Sequence, residues 1–399
     1  MTLVKKTTVG RRSGLRLVVL GMMGRSPFGG QAWLTLNWLL ALSGLGHDVW
    51  YVEDDTVWPY DPRGNTLTDD LTYPIEHIKS CLERIGLGDR WGYRFGGRGG
   101  QCAGLSELQL DDLYRTCDAL ISLGGATWLR EEHLAASFRV YIETDPVIAE
   151  LQLADPSHGR WNEFAMYHRF VTYGENFGAP DCSVPLHDLS FGKTRQPIAL
   201  EWWPYAFTPT ARNFTTIGNY RQDGHDVTWQ NEVYRWSKHH EWERFVDLPC
   251  KTNQAFELAL QIEPKERSVL ELAGWGLVPS LPMSLDVFGT YRSFIQSSRG
   301  EFTVAKDQNV RLRSGWFSER DACYLASGKP VIAQDTGFGN ILPVGEGLFA
   351  FSEIDHVLSA IDAINSDYEA HCRAARAIAE EYFEAGVVAA RLLSDIGLT

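Results

Sequence analysis

Apolar and polar positions along the chain alternate between short buried runs and longer helical stretches, and the order of these predicts an α/β protein. Leu17 to Leu20 is continuously apolar and ends at Gly21, as a parallel strand covered on both faces does. A glycine-rich connection, GMMGRSPFGG, leads into QAWLTLNWLLALSGLG, whose apolar residues recur at helical spacing. Gly46 ends that helix and His47 to Val52 is the next strand, so the opening is a βαβ unit. Further strands are expected at Cys117–Gly125, Arg139–Asp145 and Phe170–Gly174, followed by an irregular stretch with Pro180, Pro185 and Pro197. After Leu200 to Pro204 the rhythm restarts, with strands expected at Phe214–Gly218, Phe256–Leu260, Glu301–Lys306 and Pro330–Ala333. Val357 to Leu398 reads as helical throughout, with one apolar stripe. Two successive α/β halves divide near residue 205, and the cleft between them is the expected site.

Composition narrows this picture. The 399 residues are 44% hydrophobic and include 14 tryptophans, enough for two cores. A net charge of -14 and a pI near 5.3 argue against general nucleic-acid binding, which needs a basic face. No apolar run reaches 18 residues, so no transmembrane segment is expected. The start, MTLVKKTTVGRRSG, reads as a tail and not as a secretion signal. Seven scattered cysteines without a CxxC pair read as reduced core thiols of a cytoplasmic protein, and no structural zinc is expected.

Candidate chemistry concentrates between Arg311 and Gly347, RLRSGWFSERDACYLASGKPVIAQDTGFGNILPVGEG. Arg311 and Arg313 precede a helix whose N-cap is expected at Ser314 or Ser318, an arrangement that attracts anions. Gly328 suits the helix end and Pro330 leads into a strand. Thr336-Gly337-Phe338-Gly339 then brings backbone close to a ligand at a strand's carboxyl end. Gly29-Gly30, between a buried strand and a helix start, is either a tight turn or a second phosphate contact. Glu143 and Asp145 end a strand and are better placed as bases than Asp54 or Asp55, whose VEDDT setting reads equally well as a solvated loop; for Asp145, before Pro146, a helix cap is the rival role. Adjacent helical histidines rarely share a ligand position, so His239-His240 reads as structural or solvent-exposed and not as a metal site. Trp202 and Trp203 read as core, whereas Trp316 lies inside the proposed site. The segments Trp58–Asp69 and Trp91–Cys102, rich in Gly, Pro and aromatics, read as binding loops.

These residues resemble the GT-B glycosyltransferases, in particular the bacterial sugar-nucleotide enzymes of family 1 and family 4 type. FGGQAWLTLNWLLALSGLGHDVWYV is similar to that family's N-domain opening, TTIGNYRQ with RWSKHHEWERFVDLP to the start of its C-domain, and GKPVIAQDTGFGNILPVGEGLFAF to its donor-site strands. The resemblance implies two facing Rossmann-like domains with mainly parallel sheets and a C-terminal helical segment. It places an acceptor domain at 1–205, a donor domain at 206–375, and a helix returning to the N-domain at 376–399. It puts Arg221 and Lys238 on the donor diphosphate, with an insertion between them that is longer than usual. Lys306, Arg311, Arg313, Ser314, Gly315, Trp316, Ser318, Thr336, Gly337, Gly29 and Gly30 complete the implied donor site. No metal and no cofactor besides a nucleoside-diphosphate sugar are implied. The expected partners are that donor and a small-molecule or glycan acceptor, in a monomer or homodimer.

One departure separates the chain from the pattern. Retaining members carry a glutamate, seven residues, then a second glutamate; counted back from Gly328, those positions are Gly315 and Cys323. Glu319, one turn before Cys323, either takes the missing role or is an exposed helical residue. The family's N-domain histidine has no counterpart. The expected activity is sugar transfer from a nucleoside-diphosphate sugar, with Glu143, Asp145 and Glu319 as catalytic candidates. A GT-B epimerase or phosphorylase, or a non-catalytic nucleotide-sugar or partner-binding protein, are the alternatives.

Overall fold

The computed structural model describes residues 14–398; apart from Gly14, the expected N-terminal tail lies outside the described residues. Eight strands form the first sheet. From edge to edge they are Phe191–Lys193, Arg169–Thr172, Arg139–Glu143, Ala119–Leu123, Arg16–Leu20, Asp48–Asp55, Trp91–Phe95 and Gln101–Ala103. All neighbours are parallel except the last pair. Leu17 to Leu20 is wholly buried at the centre, as a two-sided apolar run requires. The second sheet has six parallel strands in the order Gly276–Leu277, Ala255–Gln261, Asn213–Asn219, Gly300–Thr303, Val331–Gln334 and Leu348–Phe351.

The helix Gly29–Gly44 explains how the two units are joined. It is buried nearly all round, because sheet, C-terminal helix and second unit each cover part of it. Trp33 packs edge-on to Trp203 with ring centroids 4.9 Å apart and also touches Trp202 and Phe288. Both tryptophans of the Trp202-Trp203 pair therefore belong to an aromatic hinge and not to a ligand platform, with the Arg292 guanidinium lying over three of the indoles. The last helix, Ala385–Asp395, packs on Gly29–Gly44. Its entry is fixed by backbone bonds from Ile198 N to Phe383 O (2.7 Å) and from Ala385 N to Ile198 O (3.1 Å).

Several expectations are corrected. The C-terminal stretch is three helices, Ile354–Ser366, Tyr368–Tyr382 and Ala385–Asp395. Asp367 caps the second through Ala370 N, and Glu384 caps the third through Gly386 N and Val387 N, so acidic caps restart a helix that the apolar stripe alone would have continued. The strand expected over Glu301–Lys306 is Gly300–Thr303, and Lys306 instead precedes a helix, Asp307–Leu312. Trp91–Cys102 is not a loop: most of it forms the two antiparallel edge strands. Nor is VEDDT solvated, since its strand runs to Asp55 and buries Asp54 completely. Asp54 accepts from Arg94 (Nε, 3.0 Å), Tyr114 (3.0 Å) and His133 (2.9 Å), and pairs with Arg130. Four donors offset the desolvation of that carboxylate. Of the seven free cysteines, Cys102 and Cys250 are exposed and Cys182 is half-buried, so the expectation of core thiols holds for the other four.

Candidate functional site

The strand ends of the second sheet and the start of helix Gly29–Gly44 meet in a cleft of about 300 Å³. Ser26, Phe28, Gly30 and Gln31 line one wall; Gly218, Asn219, Gln222, Gln261 and Arg320 line the other. The helix has no side-chain cap and no acidic residue in its first turn, so its leading N–H groups face the cleft without a built-in acceptor. Gly30 thus lines the cleft, but Gly29 does not. A Cβ on Gly29 would lie 2.4 Å from the Tyr291 ring, so this glycine serves the close approach of the two units.

Arg320 was not singled out by the sequence. It donates to Ile217 O (2.7 Å) and Thr303 Oγ1 (2.8 Å) and pairs with the buried carboxyls of Glu301 and Asp321 (3.3 Å), which meet part of its charge on the side away from the cleft. A cation in the first turn of helix Glu319–Ala326 opposes the helix dipole, which is the signal that could have marked it. Ser318 is the N-cap of that helix, accepting from Asp321 N at 3.1 Å.

A second group lies deeper. Lys238 sits 5.5 Å from the Trp316 ring centroid, and the Trp316 indole donates to Thr144 O at 3.0 Å. Lys306 pairs with Asp145 across the two units, beneath the Trp236 ring. Burial, then the charges of Arg320 and Lys306, brings the Lys238 ammonium down to about 7. Burial likewise lowers Lys306, opposed by Asp145. The space between half-buried Lys238, Trp316, Asp321 and Thr336 is narrow, with about 10 Å³ open.

The remaining expected site residues have other partners. Arg313 adopts left-handed backbone and is held by Asp181 (2.7 Å) of the first unit and Asp335 (2.9 Å) of the second, so two carboxylates already neutralise it. Arg311 ties Glu232, Val233 O and Asp307 together, and Arg221 pairs with Glu266 and bonds His239 (2.9 Å). His239 also bonds Ser237 at 2.6 Å, which makes it structural as expected. Ser314 is fully buried, its hydroxyl donating to Asn309. Asn176, a residue without sequence signal in TYGENFGAP, closes this seam. Its N–H donates to Ser314 O (3.1 Å) and its amide to Arg313 O (2.9 Å), and it packs on Gly315 and Gly337. Thr336 donates to Trp316 O (2.6 Å) and is buried.

Two catalytic candidates are corrected. Glu319 is neither exposed nor aimed at the cleft: it is 8% exposed and accepts from Asn37 Nδ2 of the first unit at 2.5 Å. Burial pushes its carboxyl up to about 8. Glu143 is buried beside Glu150, and burial and that second carboxyl hold it well above its ordinary range, so the pair shares protons inside the first unit. Asp145 alone stands at the junction, half-buried, with Oδ2 on Lys306 and Oδ1 buried without a hydrogen bond among the described residues. Asp54, Glu132 and His133 approach within ligand distance of one another, but Arg94 and Arg130 already occupy the cation's place there.

Two mainly parallel α/β sheets, a cleft between their units and a last helix packed back on the first together define the GT-B fold. Among solved structures, the chain is similar to HepE from Anabaena in complex with UDP-glucose, at 12% identity and a TM-score of 0.58 over 96% of this chain and 100% of that one. It is also similar to an alpha-glucosyltransferase in complex with UDP and a 13-mer DNA (10% identity, TM-score 0.57, 96% and 100%). A third is sucrose-phosphate synthase from Thermosynechococcus elongatus (11%, 0.53, 95% and 98%). No protein-family model and no curated protein matches the sequence. Identities this low carry the fold alone. No helix among the described residues is long and apolar enough to cross a membrane.

Proposed function

We propose that the chain is a sugar-nucleotide-dependent glycosyltransferase that binds its donor's diphosphate in the cleft between helix Gly29–Gly44 and Arg320. The observation that carries this reading is the uncapped, acid-free helix start facing a guanidinium across a cleft whose other lining residues, polar ones such as Gln31 and Asn219 and apolar ones such as Phe28 and Leu281, carry no charge. Backbone N–H groups and a positive side chain stabilise the charge that a departing nucleoside diphosphate gains. On this reading residues 1–205 take the acceptor, residues 206–375 hold the donor, and Asp145 is the first unit's carboxylate for an acceptor hydroxyl. The solved structures with UDP or UDP-glucose support a nucleotide sugar as the ligand class.

A thermal-shift panel of UDP, GDP, ADP and TDP tests the proposal, because a ligand bound by the folded state raises Tm by mass action. One base is expected to stand out. Gln31→Glu puts a carboxylate in the first helical turn, where it favours the helix but repels a diphosphate. Affinity is expected to fall roughly tenfold, about 1.4 kcal/mol, with Tm of the free protein unchanged or raised. No shift with any nucleotide, or equal affinity in the variant, sinks the reading. A non-catalytic nucleotide-sugar binder is the second reading, favoured by Asn176 filling the space against Gly315. Binding without hydrolysis or transfer of any sugar nucleotide would decide for it.

A further inference from the structure

The insertion between Arg221 and Lys238 forms a two-stranded hairpin, Val227–Trp229 with Glu232–Tyr234, that leaves its own sheet and reaches the other unit. Val227 and Tyr234 are directly opposed partners, 5% and 7% exposed, and they pack with Val147, Ile148, Leu151 and Phe177 of the first unit. This contact is made by apolar side chains; no backbone hydrogen bond joins residues 221–238 to the first unit among the described residues. Within the second unit the hairpin is held by Arg235 N to Asp307 (2.9 Å), by Trp236 N to its own Asp226 (2.8 Å) and by Arg311, which bonds Val233 O and Glu232 and lies over the Tyr234 ring. Its first leg carries Gln222 into the cleft wall and its last residue leads into Lys238. Trp236 roofs the Lys306–Asp145 pair.

We infer that residues 221–238 are a strap, which lifts off the first unit to open the Lys238 chamber to a phosphate-bearing ligand and closes over it afterwards. Only about 10 Å³ is open in the space that half-buried Lys238 lines, so a phosphate group enters it only when a wall moves, and Lys238, the last residue of the strap, is one of those walls. The hydrophobic seal is directionless and lacks a backbone ladder, which permits it to part and re-form as a unit. The opposing strained residue is Val147, buried with φ at 95°, whose N–H is held by Glu150 Oε2 at 2.8 Å. A β-branched residue persists in that conformation only where its surroundings enforce it, and the strap's apolar face is part of those surroundings. The gating by a nucleotide rests on the functional reading above; the movement of the strap does not.

Thiol labelling of Val227→Cys under native conditions, read by mass spectrometry, tests the movement. The new thiol is expected to react at least tenfold faster than Cys323 and Cys372, which are completely buried and await deeper opening. Reaction at the same rate as those two would overturn the strap. Deuterium exchange in the unaltered chain is an independent check, since a released two-stranded hairpin is marginal in water. Amides of 227–234 are expected to exchange well before those of strand Asn213–Asn219, and equal protection again refutes the inference. UDP and GDP are then added at saturating concentration. Whichever raises Tm is expected to slow Val227→Cys labelling several-fold; a nucleotide that binds yet leaves the rate unchanged overturns the gating. If neither binds, the functional reading fails while fast labelling still establishes the strap.

Discussion

Gly315→Ala is expected to destabilise the protein by about 2–5 kcal/mol, the sum of left-handed backbone for a residue with a Cβ and overpacking at a filled contact. Gly315 has φ at +80°, and an added Cβ would meet Asn176 N at 2.4 Å and its Cβ at 2.6 Å. Gly44→Ala is the matched control: it lies in the last turn of a helix with nothing within 4 Å of the added carbon. Urea unfolding should show the control neutral or slightly stabilised and the Gly315 variant much weakened. Equal midpoints would mean that the seam yields freely. Gly315→Glu follows from the same geometry. It restores the residue that the resemblance places there, yet no sugar-transfer activity is expected to appear, because the side chain enters the space Asn176 occupies. The missing glutamate and the tight seam go together: Asn176 of the first unit occupies the volume that a side chain at position 315 would need.

Glu319→Gln is expected to stabilise the protein by roughly 2–4 kcal/mol at pH 9 and by less than about 1 kcal/mol at pH 5. Burial raises the Glu319 carboxyl to about 8, so the folded protein keeps a proton that the unfolded chain loses above its ordinary range near 4.5. Stability from this group is therefore complete below pH 4.5, declines as pH rises, and is lost by pH 8. Glutamine keeps the bond to Asn37 without a proton to lose. Chemical unfolding of both proteins across pH 5 to 9 gives the difference directly. A gap that does not widen with pH would show that the carboxyl ionises without cost. As the contact joins helix Gly29–Gly44 to helix Glu319–Ala326, the wild-type protein is also expected to loosen between its units at alkaline pH.

Some of this was legible in single residues. Asn37 interrupts the apolar run LTLNWLL, and a polar group there has to find a buried partner; it found Glu319 and Ala199 N. Arg320 signalled through its unfavourable place in a helix start. Asp54 gave no such hint, because its partners Arg94, Arg130 and His133 are 40, 76 and 79 positions away. The cationic candidates failed most often. Arg221, Arg311 and Arg313 each look available in sequence, but nearby acids neutralise them in space, and proximity of charges across distant segments leaves no periodic trace.

Hydrophobic period alone determined the parallel α/β character of both halves, since strands covered on both faces must be apolar throughout and helices between them must repeat at 3.6. It also determined that a helix follows the first strand after a glycine-rich connection, although the helix begins at Gly29, two residues before the expected Gln31. Tertiary structure decided which charges remain free, that Glu319 and Gly315 belong to the seam, and that the insertion after Arg221 crosses to the other unit. Those outcomes depend on which side chain arrives opposite another, and burial and Coulomb energy are set by that arrival in three dimensions.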